Sequence, residues 1–166
     1  MDSHIRPVKR EDSKRICEIY NYYVTSTNIS FEEQAVAEEE MERRIEEKTK
    51  KYPWLVYVLE GEVVGYSYVG KWKERSAYRH TVEDTLYVKS DKRGKGIGQK
   101  LFEGLLEAVG KDTEIHAIMG VIALPNEKSV AIHEKNGFEK VAHFKEVGYK
   151  NGAWIDVGYW EKVIAL

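Results

Sequence analysis

Residues 90–100, SDKRGKGIGQK, combine three glycines with four cationic side chains directly before an apolar run with helical spacing. Glycines let backbone N–H groups approach an anion closely, and the start of the following helix adds a favourable dipole. The stretch therefore predicts a loop that binds a phosphate group. Its candidate binding residues are Arg93, Gly94, Lys95, Gly96, Ile97, Gly98 and Gln99.

Spacing separates this loop from other phosphate-binding motifs. A nucleotide P-loop requires G-x-x-x-x-G-K-[ST], but here Lys100 is followed by Leu101, so the hydroxyl that binds Mg²⁺ is missing. A dinucleotide fingerprint requires a third glycine where position 99 is Gln, and a protein kinase needs a far longer chain. The remaining pattern is Arg-x-x-Gly-x-Gly, formed by Arg93, Gly96 and Gly98. The alternative is a glycine turn that only allows close helix packing.

The loop must be positioned by the strands and helices around it. Alternating and continuous apolar patterns predict strands at 4–6, 54–60, 62–72, 80–90, 114–124, 138–144 and 154–164. Helices are predicted from near Ser13, over 37–50, directly after the glycine loop, and from Asn126 to about Asn136. The fold class is α/β (α+β), with a mixed, mostly antiparallel sheet of about seven strands, helices on both faces and one parallel crossover at the loop.

Several residues should mark the boundaries of these elements. Asp12 and Asn126 are suited to cap the N-termini of the first and last helices. Gly137 fits the position just after the last helix. Asn151-Gly152 is typical of a tight hairpin turn between the last two strands. The helix at 37–50 is strongly charged, and only a thin face containing Met41 and Ile45 should be buried.

Bulk properties restrict the class of protein. The 166 residues fit a single domain, 1–166, and a net charge of −2 gives no basic field for nucleic acid. Cys17 is the only cysteine, and the five histidines lack ligand spacing, so neither a disulfide nor a metal is expected. No apolar run reaches the roughly 20 residues that cross a bilayer, and the polar start lacks a signal peptide. We predict a cytoplasmic protein without membrane or nucleic-acid partners.

Further motifs surround the loop in a fixed order. They are NYYVTSTNISF, YPWLV, HTVEDTLYV, ALPNEKSVAIHEKNGF and KNGAWIDVGYW. Together they resemble the GNAT superfamily of N-acetyltransferases, and within it the phosphinothricin N-acetyltransferases and the methionine sulfone and sulfoximine acetyltransferases. The resemblance extends from about Ile5 to Trp160. It implies the acyl-CoA N-acyltransferase fold, acetyl-CoA as cosubstrate, and a homodimer, which the aromatic segment 147–160 is suited to form.

The resemblance also gives the loop a ligand. It assigns the glycine loop to the pyrophosphate of coenzyme A and the end of the preceding strand to the pantetheine arm. The start of the last helix is expected to contact the same cofactor. The additional cofactor-binding residues are Leu86, Tyr87, Val88, Asn126 and Ser129.

Glu83 is the candidate general base, because acetyl transfer requires a neutral amine. It lies three residues before Leu86 on an otherwise apolar or β-branched strand, where partial burial would raise its pKa. The resemblance places the catalytic glutamate of the family at this position. The alternative is an acid that only forms a structural ion pair. Asp84 points to the opposite face of the strand and is the lesser candidate.

His133 is the second catalytic candidate. It lies seven residues after Asn126, where many members of the superfamily carry a tyrosine that serves the departing thiolate. Imidazole exchanges protons near neutral pH, so His133 is predicted as a general acid or second base. The alternative is a histidine with a structural hydrogen bond.

The acceptor is expected to be a small amino acid with an anionic or polar tail. Its α-carboxylate needs a cation, and the basic segment KWKERSAY precedes the strand of Glu83. The predicted acceptor-binding residues are Phe31, Lys73, Arg75, Tyr78, Glu83 and Asn126. For the basic segment, the alternative is a solvated loop of mixed charge.

These residues predict acetylation of the amino group of phosphinothricin, methionine sulfoximine or methionine sulfone, with Glu83 as the base. Two alternatives stay open. One is an acetyltransferase of another small amine or of a peptide or protein N-terminus. The other is a non-catalytic sensor that binds acyl-CoA.

Overall fold

The structure is a computed structural model that describes residues 2–164. The strands are β1 (Ser3–Pro7), β2 (Trp54–Leu59), β3 (Glu62–Lys71), β4 (Thr81–Val88), β5 (Ala117–Leu124), β6 (Glu139–Lys150) and β7 (Ala153–Val163). The helices are α1 (Ser13–Ser26), α2 (Glu38–Thr49), α3 (Ile97–Gly110) and α4 (Glu127–Lys135). None of the helices within this range is long and apolar enough to span a bilayer.

The seven strands form one sheet in the order β1-β2-β3-β4-β5-β7-β6. All neighbouring strands are antiparallel except β4 and β5, which are parallel and joined through the glycine loop and α3. The predicted mixed sheet with one parallel crossover is therefore confirmed. The β4–β5 ladder contains three residue pairs and ends at Glu83–Met119, whereas both strands continue beyond that point. The two strands consequently diverge in the middle of the sheet.

Helices cover both faces of the sheet, as the sequence predicts. On one face, α1 and α2 bury Ile16 and Ile45 against Trp54 and Tyr66 of the sheet. On the other face, α3 buries one apolar side. The α3 residues that do so are Leu101, Phe102, Leu105 and Val109. Such an apolar stripe along each helix supplies the hydrophobic free energy that fixes the helix on the sheet.

Local signals place the ends of most elements. Gly137 has φ +89° directly after α4, and Asn151 and Gly152 have φ 53° and 75° in the β6–β7 turn. The Asn126 side chain caps α4, accepting a hydrogen bond from Ser129 N at 3.3 Å. Because glycine and asparagine tolerate the left-handed region, these turns follow directly from local sequence.

Two expectations about the elements require correction. The carboxylate of Asp12 does not cap α1, because it binds the Arg6 guanidinium at 2.8 and 2.9 Å and Lys9 N at 2.7 Å. Strand β6 runs to Lys150, six residues beyond the predicted end at 144. Its pairing with β7 shifts between Phe144 and Gly148, and this irregularity hides the continuation from a simple alternating pattern.

Candidate active site

A cavity of about 530 Å³ opens where β4 and β5 diverge. Beyond Glu83 the two strands no longer pair with each other, so backbone groups on the facing edge of β4 can bind a ligand. The wall of this first cavity contains eleven of the twelve predicted cofactor-binding residues, and only Lys95, which is exposed, lies outside it. The eleven are Leu86, Tyr87, Val88, Arg93, Gly94, Gly96, Ile97, Gly98, Gln99, Asn126 and Ser129.

The glycine loop forms one end of the first cavity. Gly94 and Gly96 have φ +78° and +80°, a region that side-chain-bearing residues rarely adopt, and the space beside both is open. No side chain caps the N-terminus of α3, which begins directly at Ile97, so its first N–H groups are available to an anion. The Arg93 guanidinium lies 5.7 Å from the ring centre of Tyr23. The loop therefore has the open backbone and the positive charge that a pyrophosphate requires.

Glu83 lies at the opposite end of the first cavity. Its cross-strand neighbour is Gly70, on the face of the sheet that α1 and α2 cover. Burial, followed by the negative charge of Asp84, raises the pKa of Glu83 to about 7, although Lys73 and Lys48 act in the opposite direction. A carboxylate with this pKa can accept a proton near neutral pH.

A second cavity, of about 510 Å³, adjoins the first at Glu83. The two cavities share Ile29, Glu83, Thr85, Tyr87, Val121 and Ala123 in their walls. Away from this junction, the second cavity is lined by Tyr20, Ser30, Phe31, Glu32, Tyr68 and Val157. A ligand in each cavity would therefore lie close to the Glu83 carboxylate.

His133 lies at the first cavity but is engaged at both ring nitrogens. Nδ1 is 2.7 Å from the carbonyl oxygen of Ser129, and Nε2 is 2.9 and 3.0 Å from the two carboxylate oxygens of Asp84. Burial alone would lower the pKa of His133, but the charge and hydrogen bond of Asp84, with the Ser129 carbonyl, raise it. Because both partners are acceptors, the ring is protonated at both nitrogens when the Asp84 carboxylate is ionised. Gly120 makes room for this pair, since a Cβ there would overlap the imidazole ring.

The predicted acceptor-binding residues divide into two groups. Phe31 lines the second cavity, and Asn126 lines only the first. Lys73, Arg75 and Tyr78 are exposed on the β3–β4 loop and form no part of either wall, because this loop extends past the ends of both strands. Among these three, the charge of Lys73 acts on Glu83 and lowers its pKa.

Sequence reasoning did not find several residues that shape the site. Tyr23 of α1 lines the first cavity and donates a hydrogen bond to the carbonyl oxygen of Val88. Glu32 and Tyr68 line the second cavity. The motif that ends at Phe31 was the available signal for Glu32, since the next residue along a pocket-lining loop often lines the same pocket.

Comparison with known proteins identifies the family. Residues 5–158 match the family described as acetyltransferase (GNAT) domain. The chain belongs to the GNAT acetyltransferases. Members of this family use acetyl-CoA, so the protein is an acetyl-CoA-dependent N-acetyltransferase. The glycine loop, the free edge of β4 and the adjoining cavity of this GNAT acetyltransferase fit that donor.

Three similar proteins are informative. The chain is 36% identical to the phosphinothricin N-acetyltransferase of Streptomyces viridochromogenes, over 98% of this chain and 88% of that protein. It is 32% identical to the L-methionine sulfoximine/L-methionine sulfone acetyltransferase of Pseudomonas aeruginosa, over 97% and 94%. It also superposes on a GNAT superfamily phosphinothricin acetyltransferase from Sinorhizobium meliloti, solved in complex with AcCoA. The TM-score is 0.94 at 32% identity, covering 99% of this chain and 89% of that one.

Proposed function

We propose that this GNAT acetyltransferase acts as one domain and acetylates the amino group of small amino-acid-like acceptors. The acceptors proposed are methionine sulfoximine, methionine sulfone and phosphinothricin. The names of similar proteins support this class of acceptor. The observation that carries the proposal is the position of Glu83, a carboxylate with a pKa of about 7 at the junction of two cavities.

The first cavity would hold the donor, whose thioester supplies an activated acetyl group. The N–H groups at the start of α3, together with Arg93, would bind the pyrophosphate. The unpaired edge of β4 beyond Glu83 would bind the pantetheine arm, and a backbone N–H near Val88 would polarise the thioester carbonyl. This arrangement would direct the acetyl group towards Glu83.

The second cavity would hold the acceptor, with its amine directed at Glu83. Glu83 removes a proton from the ammonium group, directly or through a water molecule, and the neutral nitrogen attacks the thioester carbonyl carbon. A nitrogen–carbon bond forms and the carbon–sulfur bond breaks. The nitrogen loses its second proton to water as the amide forms, and the thiolate leaves and takes up a proton. Holding both substrates at one junction supplies the proximity that such a transfer requires.

His133 is proposed as the proton donor to the departing thiolate. Because Ser129 and Asp84 engage both ring nitrogens, His133 has no free nitrogen that could act as a base. Transfer of its Nε2 proton would require the hydrogen bond to Asp84 to break. The proposal therefore assigns the role of base to Glu83 alone.

The test measures thiol release from acetyl-CoA with the three amines, in the natural chain and in Glu83→Gln. We expect kcat to fall by about 100-fold or more in the variant, because the side-chain amide that replaces the carboxylate cannot accept the proton. In the natural chain kcat should also decrease as the pH falls below about 7, where Glu83 becomes protonated. The variant should lack this inflection.

Glu74→Gln is the matched control, since Glu74 is exposed on the β3–β4 loop and should keep full activity. Full activity of Glu83→Gln at neutral pH would reject Glu83 as the base. Tight acetyl-CoA binding without turnover of any amine would favour an acyl-CoA sensor instead.

A further inference from the structure

The charged residues in the wall of the second cavity bear on the choice among the proposed acceptors. Its charged wall residues are Glu83 and Glu32, and within residues 2–164 no lysine or arginine lines it. Glu83 marks the junction with the first cavity, whereas Glu32 belongs to the part that the first cavity does not share. An acceptor with its amine at Glu83 therefore extends its tail towards Glu32.

The surroundings of Glu32 favour hydrogen-bond donors. Its carboxylate is held by the Arg44 guanidinium at 2.6 and 3.1 Å, and its backbone N–H donates to Ser30 Oγ at 3.2 Å. Tyr20 Oη lies 2.8 Å from the same Ser30 oxygen. The Glu32 side chain lines the cavity and stays 37% exposed, so its carboxylate can accept further hydrogen bonds. The part of the second cavity around Glu32 thus presents a carboxylate and the hydroxyl groups of Ser30 and Tyr20 to a ligand.

The nearby cations lie outside the wall of the second cavity, and each contacts other groups. Arg44 also binds Glu40 at 2.8 Å, so one guanidinium serves two carboxylates. Lys150 is buried and donates to the carbonyl oxygen of Ser30 at 2.6 Å. Lys48 lies over the Tyr68 ring, with Nζ 5.6 Å from its centre. None of these side chains forms part of the cavity wall, where a second anion would need to bind.

We infer that Glu32 makes the acceptor site select against a second anion, so that amino acids with an uncharged tail are acetylated in preference to phosphinothricin. The inference rests on the proposed function. Methionine sulfone and methionine sulfoximine have uncharged tails, and the sulfoximine also carries an N–H that can donate a hydrogen bond to Glu32. The phosphinate of phosphinothricin is negatively charged at neutral pH and would approach a carboxylate of like charge, whose guanidinium partner Arg44 is shared with Glu40 and lies outside the cavity wall.

The experiment compares kcat/KM for phosphinothricin with kcat/KM for methionine sulfone in the same protein preparation. This ratio does not depend on the amount of active enzyme, so partial loss of folding in a variant does not affect it. For the natural chain we expect a ratio of about one tenth or less. In Glu32→Gln the ratio should rise about tenfold, because the carboxylate charge is removed and Arg44 is partly released.

Two further variants make the test specific. Glu33→Gln, an exposed neighbour outside both cavity walls, should leave the ratio unchanged. Arg44→Gln should lower the ratio further, because Glu32 then loses its counter-charge. If the ratio of the two kcat/KM values rises in Glu32→Gln and falls in Arg44→Gln, a general loss of stability cannot be the cause.

A ratio near or above one in the natural chain would overturn the inference and leave the proposed function intact. So would a ratio in Glu32→Gln within about twofold of the natural value. If none of the three amines is acetylated although acetyl-CoA binds, the proposed function and the inference both fail.

Discussion

Glu83 and Asp84 are consecutive carboxylates on β4 that meet different surroundings. Glu83 faces the junction of two cavities, where burial raises its pKa to about 7. Asp84 faces the side of α3 and α4, where its carboxylate is paired with the His133 imidazole at 2.9 Å. Because successive residues of a strand alternate between faces, one strand holds one carboxylate at the junction of the cavities and another paired with a buried histidine.

The raised pKa of Glu83 predicts a dependence of stability on pH. Its ordinary pKa is 4.5, and in the folded protein it is about 7. Between these values the folded chain holds a proton that the unfolded chain has released, so this group lowers stability as the pH rises through the window. Glu83→Gln removes this effect. We expect the variant to be more stable than the natural chain by about 3 kcal/mol at pH 8, with little difference at pH 4.

Urea unfolding of both proteins at the two pH values provides the measurement. Glu74→Gln, on the exposed β3–β4 loop, controls for the loss of one negative charge. Equal stabilities of Glu83→Gln and the natural chain at pH 8 would show that Glu83 is not destabilised by burial. A gain in stability together with a loss of turnover is the pattern expected for a group placed for catalysis.

At the scale of elements, the tip of the β6–β7 hairpin supports the loop that lines the second cavity. Lys150 Nζ donates to Ser30 O at 2.6 Å, and Asn151 Nδ2 donates to Asn28 Oδ1 at 2.8 Å. The Phe31 ring packs over Gly148, where any Cβ would overlap it. A strand far along the chain therefore fixes the position of Phe31 and Glu32.

Lys150→Met should loosen this support. The Ser30 carbonyl oxygen would lose its buried donor, which costs about 1–3 kcal/mol, and the loop would shift. We expect the KM for the acceptor to rise about threefold to tenfold, whereas the KM for acetyl-CoA should change much less, because this loop contributes only Ile29 to the wall of the first cavity.

Steady-state kinetics with each substrate varied in turn measure both values. Lys145→Met is the matched control, because Lys145 lies on the same strand and is exposed. If Lys150→Met and Lys145→Met give the same KM for the acceptor, the hairpin does not position the loop that carries Phe31 and Glu32 for acceptor binding.

At the scale of the whole molecule, the sheet ends in an exposed apolar strand pair. Val147, Tyr149 and Trp154 of β6 and β7 are 60%, 57% and 65% exposed, and the last two rings are 4.7 Å apart. Exposed apolar groups concentrated in one place are typical of protein interfaces. We propose that two copies of the chain associate through this surface.

The natural chain should therefore sediment at micromolar concentration as a particle of twice 19.2 kDa. Trp154→Ser should weaken association by about tenfold or more, since large aromatic side chains contribute most at interfaces. Tyr22→Ser, which removes an exposed ring from α1, should leave the association of the two copies unchanged. A monomeric mass for the natural chain under these conditions would contradict the proposal.

Local sequence was sufficient for much of this protein. Met41 and Ile45 are the buried side chains of α2, as the helical spacing of apolar residues predicts. Gly137 and the Asn151-Gly152 turn lie where their permitted backbone angles require. These features depend on periodicity and on conformational preferences of single residues, which are properties of short segments. The glycine loop and its motifs were likewise enough to indicate the family.

Tertiary structure determined which elements pack together and which distant residues come into contact. The divergence of β4 and β5 after Glu83–Met119, the pairing of His133 with Asp84, and the support of Ser30 by Lys150 each join residues distant in sequence. No local pattern encodes such contacts, because they depend on which strands become neighbours and on what burial does to each charge. The sequence alone therefore determined most of the elements and the family. Only the folded chain placed two cavities beside Glu83 and brought Glu32 into the wall of the second cavity.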